Sequence, residues 1–334
     1  MTAEAVPAKI LWQMQIHIPN SAFLGNIETF LQAYKPDDPD SLRVTFHPKW
    51  VSVHPFVLAM TAALALECRE RGFQPTTSEL TFPSLPYLVR MKLFEFLGVP
   101  QPAAIVEHEA AGRFIPLSQV RSSKELQQFI TEMVPLLHAT PAEVEPIQYV
   151  MSELIRNVLE HSQSPRGAIV CAQYFKETKR IAIGVADAGT GVKKTMKIHG
   201  PKNHLDAIIM ALRPGITGTT RRFGGTETNA GAGLFFTRNI AKVSRNHFLI
   251  YSGDAAFKLR KTPPNSQMLL FADPTRDRNT ARDDLPFWNG TVVGIDIAIS
   301  PDQTFAGLLK LIRSAYRLDV KKQKHEFFKR PKFI

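Results

Sequence analysis

Three short motifs in the middle of the chain contain residue types that can bind a nucleotide. In the first, Glu153, Asn157 and His161 follow one another at intervals of four residues, so one face of a helix would carry all three. Asparagine has a poor helix propensity, which is easier to understand if its amide oxygen has a ligand such as Mg²⁺ held among phosphate oxygens. The alternative is an ordinary amphipathic helix with a solvated acidic face.

The second motif begins where a predicted strand, residues 180–186, ends. Asp187 follows this strand and can accept a hydrogen bond from the exocyclic amino group of an adenine. Gly189 and Gly191 allow the backbone to turn sharply and to approach a ring closely. A simple turn that contains Asp and Gly is the alternative interpretation of this motif.

The third motif consists of Gly231, Gly233 and Leu234, which precede an apolar segment that predicts a helix from residue 235. Glycines in front of a helix leave backbone N–H groups free at its positive end, and this arrangement favours phosphate binding. A flexible loop before an ordinary helix is the alternative here. In this order along the chain, the three motifs together indicate an ATP site.

Taken jointly, the motifs resemble those of the GHKL superfamily of ATP-binding domains, which includes DNA gyrase, ninety-kilodalton heat-shock chaperones, histidine kinases and MutL proteins. The likeness extends over residues 113–300. Residues 153–157 resemble the Asn box of the family, and residues 187–191 and 231–234 resemble its two glycine boxes. Residues 289–293 are similar to a late strand whose threonine, here Thr291, assists at the adenine.

The resemblance implies a fold and a role for each matching residue. The fold is α/β, a two-layer α/β sandwich of the Bergerat type. Glu153 would be the general base that activates water. The implied ligand contacts are Asn157 with Mg²⁺, Asp187 with adenine, Gly189 and Gly191 on the ring and ribose side, and Gly231, Gly233 and Leu234 at the phosphates of ATP. The polar segment between the glycine boxes, residues 192–230, resembles the ATP lid of the family.

The N-terminal third, residues 1–108, predicts a smaller α/β unit. Strands are expected at 41–46 and 80–82, and helices at 55–72 and 87–98. This pattern resembles STAS domains, which are partners of anti-sigma-factor kinases. Phosphorylatable STAS domains carry Ser or Thr at the turn before the helix, whereas this chain has His54 there, so no phosphoacceptor role is expected.

Composition favours a cytoplasmic protein of two domains without a membrane segment. The chain has 334 residues, which exceeds the usual size of a domain with one core. Its hydrophobic content of 44% is ample for burial. No apolar stretch reaches membrane-spanning length, and the N-terminus lacks a signal-peptide pattern. The two cysteines, Cys68 and Cys171, do not form a disulfide framework.

The C-terminal segment, residues 301–334, predicts a helix that ends in a basic tail. Aromatic side chains alternate there with cations, and the net charge of the chain is +11. Such a tail can bind nucleic acid by contacting phosphates and stacking on bases. The alternative is a solvated helix whose aromatic side chains dock on the protein itself. The residues concerned are Arg317, Lys321, Lys322, Lys324, Phe327, Phe328, Lys329, Arg330, Lys332 and Phe333.

Three functions stay open at the level of sequence. The first is a slow ATPase in which lid closure switches the interaction with a protein partner or a second copy. The second is a protein serine/threonine kinase of the anti-sigma type, because residues 157–162 are similar to that group. The third is a module that holds nucleotide without turnover, for example to regulate nucleic-acid binding. The first is the leading hypothesis.

Overall fold

The computed structural model describes residues 14–37, 41–101, 114–133, 135, 141–218, 232–298 and 305–329. The fold is mixed α/β. Its strands are β1 Met14–Ile18, β2 Ser21–Ala22, β3 Leu42–Phe46, β4 Ser52–Val53, β5 Thr76–Thr77, β6 Phe114–Val120, β7 Ala168–Phe175, β8 Arg180–Asp187, β9 Phe248–Gly253, β10 Ala255–Leu259, β11 Asn279–Arg282 and β12 Trp288–Ala298. Its helices are α1 Glu28–Ala33, α2 Pro55–Glu70, α3 Leu85–Arg90, α4 Leu93–Leu97, α5 Ser123–Met133, α6 Pro141–His161, α7 Gly191–Thr195, α8 His204–Ala211, α9 Gly233–Val243 and α10 Phe305–Lys329.

A seven-stranded sheet forms the centre of the molecule, with the strand order β11-β10-β9-β12-β8-β7-β6. All neighbouring strands in it are antiparallel. The strand predicted before Asp187 is confirmed as β8, and the late strand predicted at 289–293 is part of the longer β12. Within the described ranges, no helix is long and apolar enough to cross a membrane.

The two faces of the sheet pack against different parts of the chain. Successive side chains of a strand point to opposite faces, so β8 contributes to both layers. Ile183 and Val185 pack in a core with α6 and α9, while Ala186 belongs to a second core that is formed mainly by residues of the N-terminal third. The N-terminal unit therefore covers one face of the sheet, and α6 and α9 cover the other.

The N-terminal unit contains a three-stranded parallel sheet in the order β1-β3-β5 and the buried helix α2. The strand at 41–46 and the helix from Pro55 are confirmed. The strand predicted at 80–82 is wrong, since the strand in this region is the shorter β5 at Thr76–Thr77. Phe82 packs its ring on Phe46, with ring centroids 5.4 Å apart. The helix predicted at 87–98 is split into α3 and α4, since Lys92 adopts a left-handed conformation with φ of 59°. Residues 102–113 lie outside the described residues, so the division near 108 stays a prediction.

Two glycines in the seven-stranded sheet allow helix α2 to approach the backbone of the sheet closely. Gly184 of β8 and Gly294 of β12 are directly paired across the two strands. A Cβ atom on Gly184 would lie 2.3 Å from the carbonyl carbon of Pro55, and one on Gly294 would lie 3.1 Å from the ring of Phe56. The paired glycines form a notch, and the first turn of α2 fits into it.

A buried group of polar side chains lies at the contact between the start of α2 and strand β12. His54 is fully buried, and its Nδ1 accepts a hydrogen bond from the Phe56 N–H (3.0 Å) at the start of α2. Its Nε2 lies 3.4 Å from Oδ1 of Asp296 on β12, and Arg180 lies 3.2 Å from the other carboxylate oxygen. Burial alone would raise the pKa of Asp296, but the neighbouring rings of His247 and His54 and the charge of Arg180 outweigh it and lower that pKa. The turn before α2 is thus occupied by a helix-capping histidine.

Replacing Gly184 by Ala is expected to destabilise the protein by about 1–3 kcal/mol, because the added methyl group meets backbone atoms that cannot rotate away. Denaturant unfolding measures the loss. Gly25→Ala is the matched control, since its Cβ would lie 3.5 Å from His247, an ordinary contact, and its effect should stay within about 0.5 kcal/mol. Equal unfolding free energies for the Gly184 variant and wild type would contradict the close contact.

Candidate functional site

One cavity of about 280 Å³ lies between α6, α9, the turn after β8 and strands β8, β9 and β12. Gly189 does not line this cavity, and Gly231 lies outside the described residues. His161, the third polar residue of the α6 face, is part of the wall. The remaining predicted site residues all line it: Glu153, Asn157, Asp187, Gly191, Gly233, Leu234 and Thr291.

The floor of the cavity is apolar and is built from neighbouring strands. Asp187 and Thr291 are paired across β8 and β12. Val185 and Val293 are paired two residues further along the same strands, so their side chains share a face with those of Asp187 and Thr291. Ile250 of β9 is in turn paired with Val293. Sequence reasoning did not name these three apolar residues, although Val185 and Val293 each stand two positions from a named residue, at the spacing of side chains that share a face.

Asp187 is an acceptor in a largely apolar environment. Asp187 is only 2% exposed, and its Oδ1 accepts a hydrogen bond from the Gly189 N–H at 2.9 Å. Burial raises the pKa of this carboxyl group to about 7, while the N–H groups of Gly189 and Thr291 act in the opposite direction. In the described part of the chain no basic side chain forms an ion pair with Asp187. Asp187 thus offers the cavity a carboxyl group whose described partners are backbone N–H groups.

The glycines after Asp187 shape the turn in different ways. A Cβ on Gly189 would lie 2.2 Å from the carbonyl oxygen of Ser162, which accepts a hydrogen bond from the Thr190 N–H at 2.7 Å. Gly189 thus packs the turn against the end of α6 and does not contribute to the wall. Gly191 has a φ of +72°, which favours glycine, and its backbone forms part of the cavity wall.

The N-terminus of α9 faces the polar side of α6. A Cβ on Gly233 would lie 2.5 Å from Oε2 of Glu153 and 3.5 Å from Nδ2 of Asn157, so the first and third motifs meet at this point. Ala232, the residue before the helix, provides no side-chain cap. Among the described residues no side-chain cap is recorded at this helix end, where the helix dipole favours an anion.

Asn157 has an unsatisfied amide. Its Nδ2 atom is buried and has no hydrogen-bond partner among the described residues. A buried donor without a partner is costly, so this N–H group is expected to meet an acceptor, whereas a metal would bind the amide oxygen, Oδ1. No group of three His, Cys, Asp or Glu side chains in the described ranges could hold a metal ion. A metal here would instead depend on the amide of Asn157 and on oxygens brought by a ligand.

Glu153 carries a carboxylate that is suited to accept a proton. Burial raises the pKa of Glu153, Arg156 counteracts this rise, and Glu160 adds to it. The guanidinium of Arg156 lies 3.3 Å from Oε1, which leaves Oε2 directed toward Gly233. A carboxylate of raised pKa beside an anion-binding helix end can deprotonate water or a hydroxyl group.

Comparison with known proteins does not add an identity to this geometry. No protein-family model matches the sequence, and a search of curated proteins also finds no match.

Proposed function

We propose that the protein binds Mg²⁺-ATP in this cavity, in a two-layer α/β sandwich of the Bergerat type that belongs to the GHKL superfamily. The observation that carries the proposal is the meeting of Asp187, Asn157 and the N-terminus of α9 at Gly233 around one cavity. These residues come from three separate segments, and the family resemblance implies the same three for adenine, metal and phosphate.

The cavity supplies a complementary surface for each part of ATP. The exocyclic amino group of adenine donates to Asp187, and the ring lies against the apolar side chains of Val185 and Val293. The phosphates accept hydrogen bonds from the N–H groups at the start of α9. The donor set fits Mg²⁺, since the ion commonly uses one or two protein oxygens together with phosphate oxygens and water. Asn157 would hold it, and it would offset the charge of the phosphates.

The reaction that this arrangement supports best is slow hydrolysis of ATP. Glu153 accepts a proton from the attacking water, and its raised pKa brings its basicity closer to neutral pH. We propose that the bound state is transmitted to a protein partner or to a second copy. Of the predicted lid, residues 192–230, the structure describes residues 192–218, which contain α8 and most of α7. Residues 219–230 of the lid lie outside the described residues.

A protein kinase is the second candidate, because Glu153 also borders an open groove outside the cavity. This groove measures about 630 Å³ and lies between α5, α6 and the start of α10. Arg156 and Arg313 line it beside Glu153. A serine or threonine hydroxyl that entered along the groove would reach the same carboxylate that serves water in the first candidate.

The fate of the γ-phosphate distinguishes the two reactions. Purified protein is incubated with Mg²⁺-ATP labelled at the γ-position, alone and with co-purifying proteins. We expect the label to be released as free phosphate, and this release should require Mg²⁺. Transfer of the label to a protein would select the kinase instead, and retention of intact bound ATP would exclude both reactions.

A further inference from the structure

A second cavity of about 380 Å³ lies behind the turn that follows β8. Gly191 belongs to the walls of both cavities, so the two are separated by little more than one strip of backbone. The hydroxyl of Ser252 holds this strip, because it accepts from the Val192 N–H at 2.9 Å and donates to the Gly290 carbonyl at 2.6 Å. Lys193, Lys194, Lys197 and His204 of this cavity lie in the predicted lid segment, but none of the roles assigned above uses their side chains.

The second cavity is strongly cationic. Three lysines from one short segment line it: Lys193, Lys194 and Lys197. None of the three has an ion-pair partner among the described residues. His204 lines the same cavity, and its Nδ1 is engaged by Asp254 at 2.7 Å, which leaves Nε2 for a ligand. Unpaired ammonium groups around a concavity attract anions, and lysine is a common phosphate binder.

An aromatic surface lies next to the cations. Phe287 is 46% exposed and lines the cavity, although large apolar side chains are usually buried. Its ring is held in place by His204, with ring centroids 5.4 Å apart in an edge-to-face arrangement. A positioned aromatic ring beside lysines is the combination that proteins use to stack a base and bind its phosphate.

We propose that this second cavity, formed by Lys193, Lys194, Lys197, His204 and Phe287, binds the phosphate and the base of a nucleotide. The lysines contact the phosphate, and the base stacks on Phe287. Its size limits the bound unit to about one nucleotide, which is either a free mononucleotide or one nucleotide of a single strand. The site is distinct from the cavity that contains Asp187, and it does not require ATP to bind there.

Pyrimidine probes test the site without occupying an adenine-selective pocket. Binding of uridine monophosphate, uridine and fluorescent oligo(dT) is measured at low salt for the full chain. We expect uridine monophosphate or oligo(dT) to bind and uridine to bind at least about tenfold more weakly, because it lacks the phosphate. Binding of the mononucleotide alone identifies a free nucleotide as the source, and binding of oligo(dT) alone identifies a nucleic-acid strand.

Paired charge reversals separate this cavity from general attraction to a basic protein. The double variant Lys194→Glu, Lys197→Glu should weaken binding at least about tenfold. The control is the double variant Lys49→Glu, Lys176→Glu, which makes the same charge change at exposed sites elsewhere. It should change binding less than about twofold. Phe287→Ala should also weaken binding, as expected for a lost stacking surface. Equal losses in both double variants, equal binding of uridine, or no binding of either phosphate-bearing probe would overturn the proposal.

Discussion

Asp187→Asn is expected to reduce affinity for ATP by about a hundredfold, since leaving a buried donor without an acceptor costs roughly 1–3 kcal/mol. Oδ1 of Asp187 accepts from the Gly189 N–H, so the amide oxygen of the variant would take this place. The NH₂ group would then face the exocyclic amino group of adenine, and two donors would meet. Calorimetric titration with Mg²⁺-ATP measures the loss of affinity, and the stabilisation of the folded state by ATP should disappear with it.

Without ligand, the free energy of unfolding of the same variant should be larger than that of wild type. This measurement also tests whether the variant folds. The carboxyl pKa of Asp187 is about 7 in the fold, and an unfolded aspartate titrates near 3.9. Between these values the folded state binds more protons than the unfolded state, so the stability of wild type falls as pH rises toward 7. The advantage of Asp187→Asn should therefore grow from pH 5 to pH 8, toward a limit on the order of 4 kcal/mol.

Asp283→Asn is the matched control, because Asp283 is exposed and lies away from the cavity. It should keep the affinity of wild type for ATP. A folded Asp187→Asn protein that binds ATP as tightly as wild type would remove Asp187 from the adenine site. A stability difference that does not change between pH 5 and pH 8 would show that the carboxyl group is not held in its neutral form.

Two substitutions on α6 should separate binding from chemistry. Asn157→Ala removes the proposed metal ligand, so affinity for ATP should fall at least about tenfold when Mg²⁺ is present and change little with EDTA. Glu153→Gln keeps the shape beside Gly233 but cannot take up a proton. Its affinity for ATP should stay close to that of wild type, while turnover should fall by about a hundredfold or more, as expected for a lost general base.

Nucleotide affinity and turnover are measured for both variants and for Glu145→Gln, an exposed position on the same helix. The control should match wild type in both measurements. Unchanged turnover in Glu153→Gln would exclude this residue as the base. An equal loss of affinity for Asn157→Ala with and without Mg²⁺ would assign Asn157 a structural role in place of metal binding.

The elements that carry the candidate site were predictable because their signals are local. Helical spacing places Glu153 and Asn157 on one face, and an apolar run ending at Asp187 is a clear strand signal. The cavity joins these residues to Gly233 and Thr291, as the order of motifs along the chain predicts.

Other features depend on pairing between distant parts of the chain. The notch of Gly184 and Gly294 requires the register between β8 and β12, and the contact of His54 with Asp296 joins segments that are far apart in sequence. The second cavity was missed because Lys193 and Phe287 come together only in the folded chain. The left-handed turn at Lys92 was missed because lysine gives no local signal for that conformation.

Alternate residues of β8 belong to different layers, and this has a consequence for mutational mapping. Val185 lines the candidate ATP cavity, whereas Gly184, its neighbour in sequence, touches the backbone of Pro55 on the opposite face. A nucleotide bound in this cavity would thus be separated from the N-terminal unit by the thickness of one strand. Substitutions around Pro55 that never touch ATP are expected to change its affinity, so loss of binding in a mutant screen does not by itself locate a residue in the nucleotide pocket.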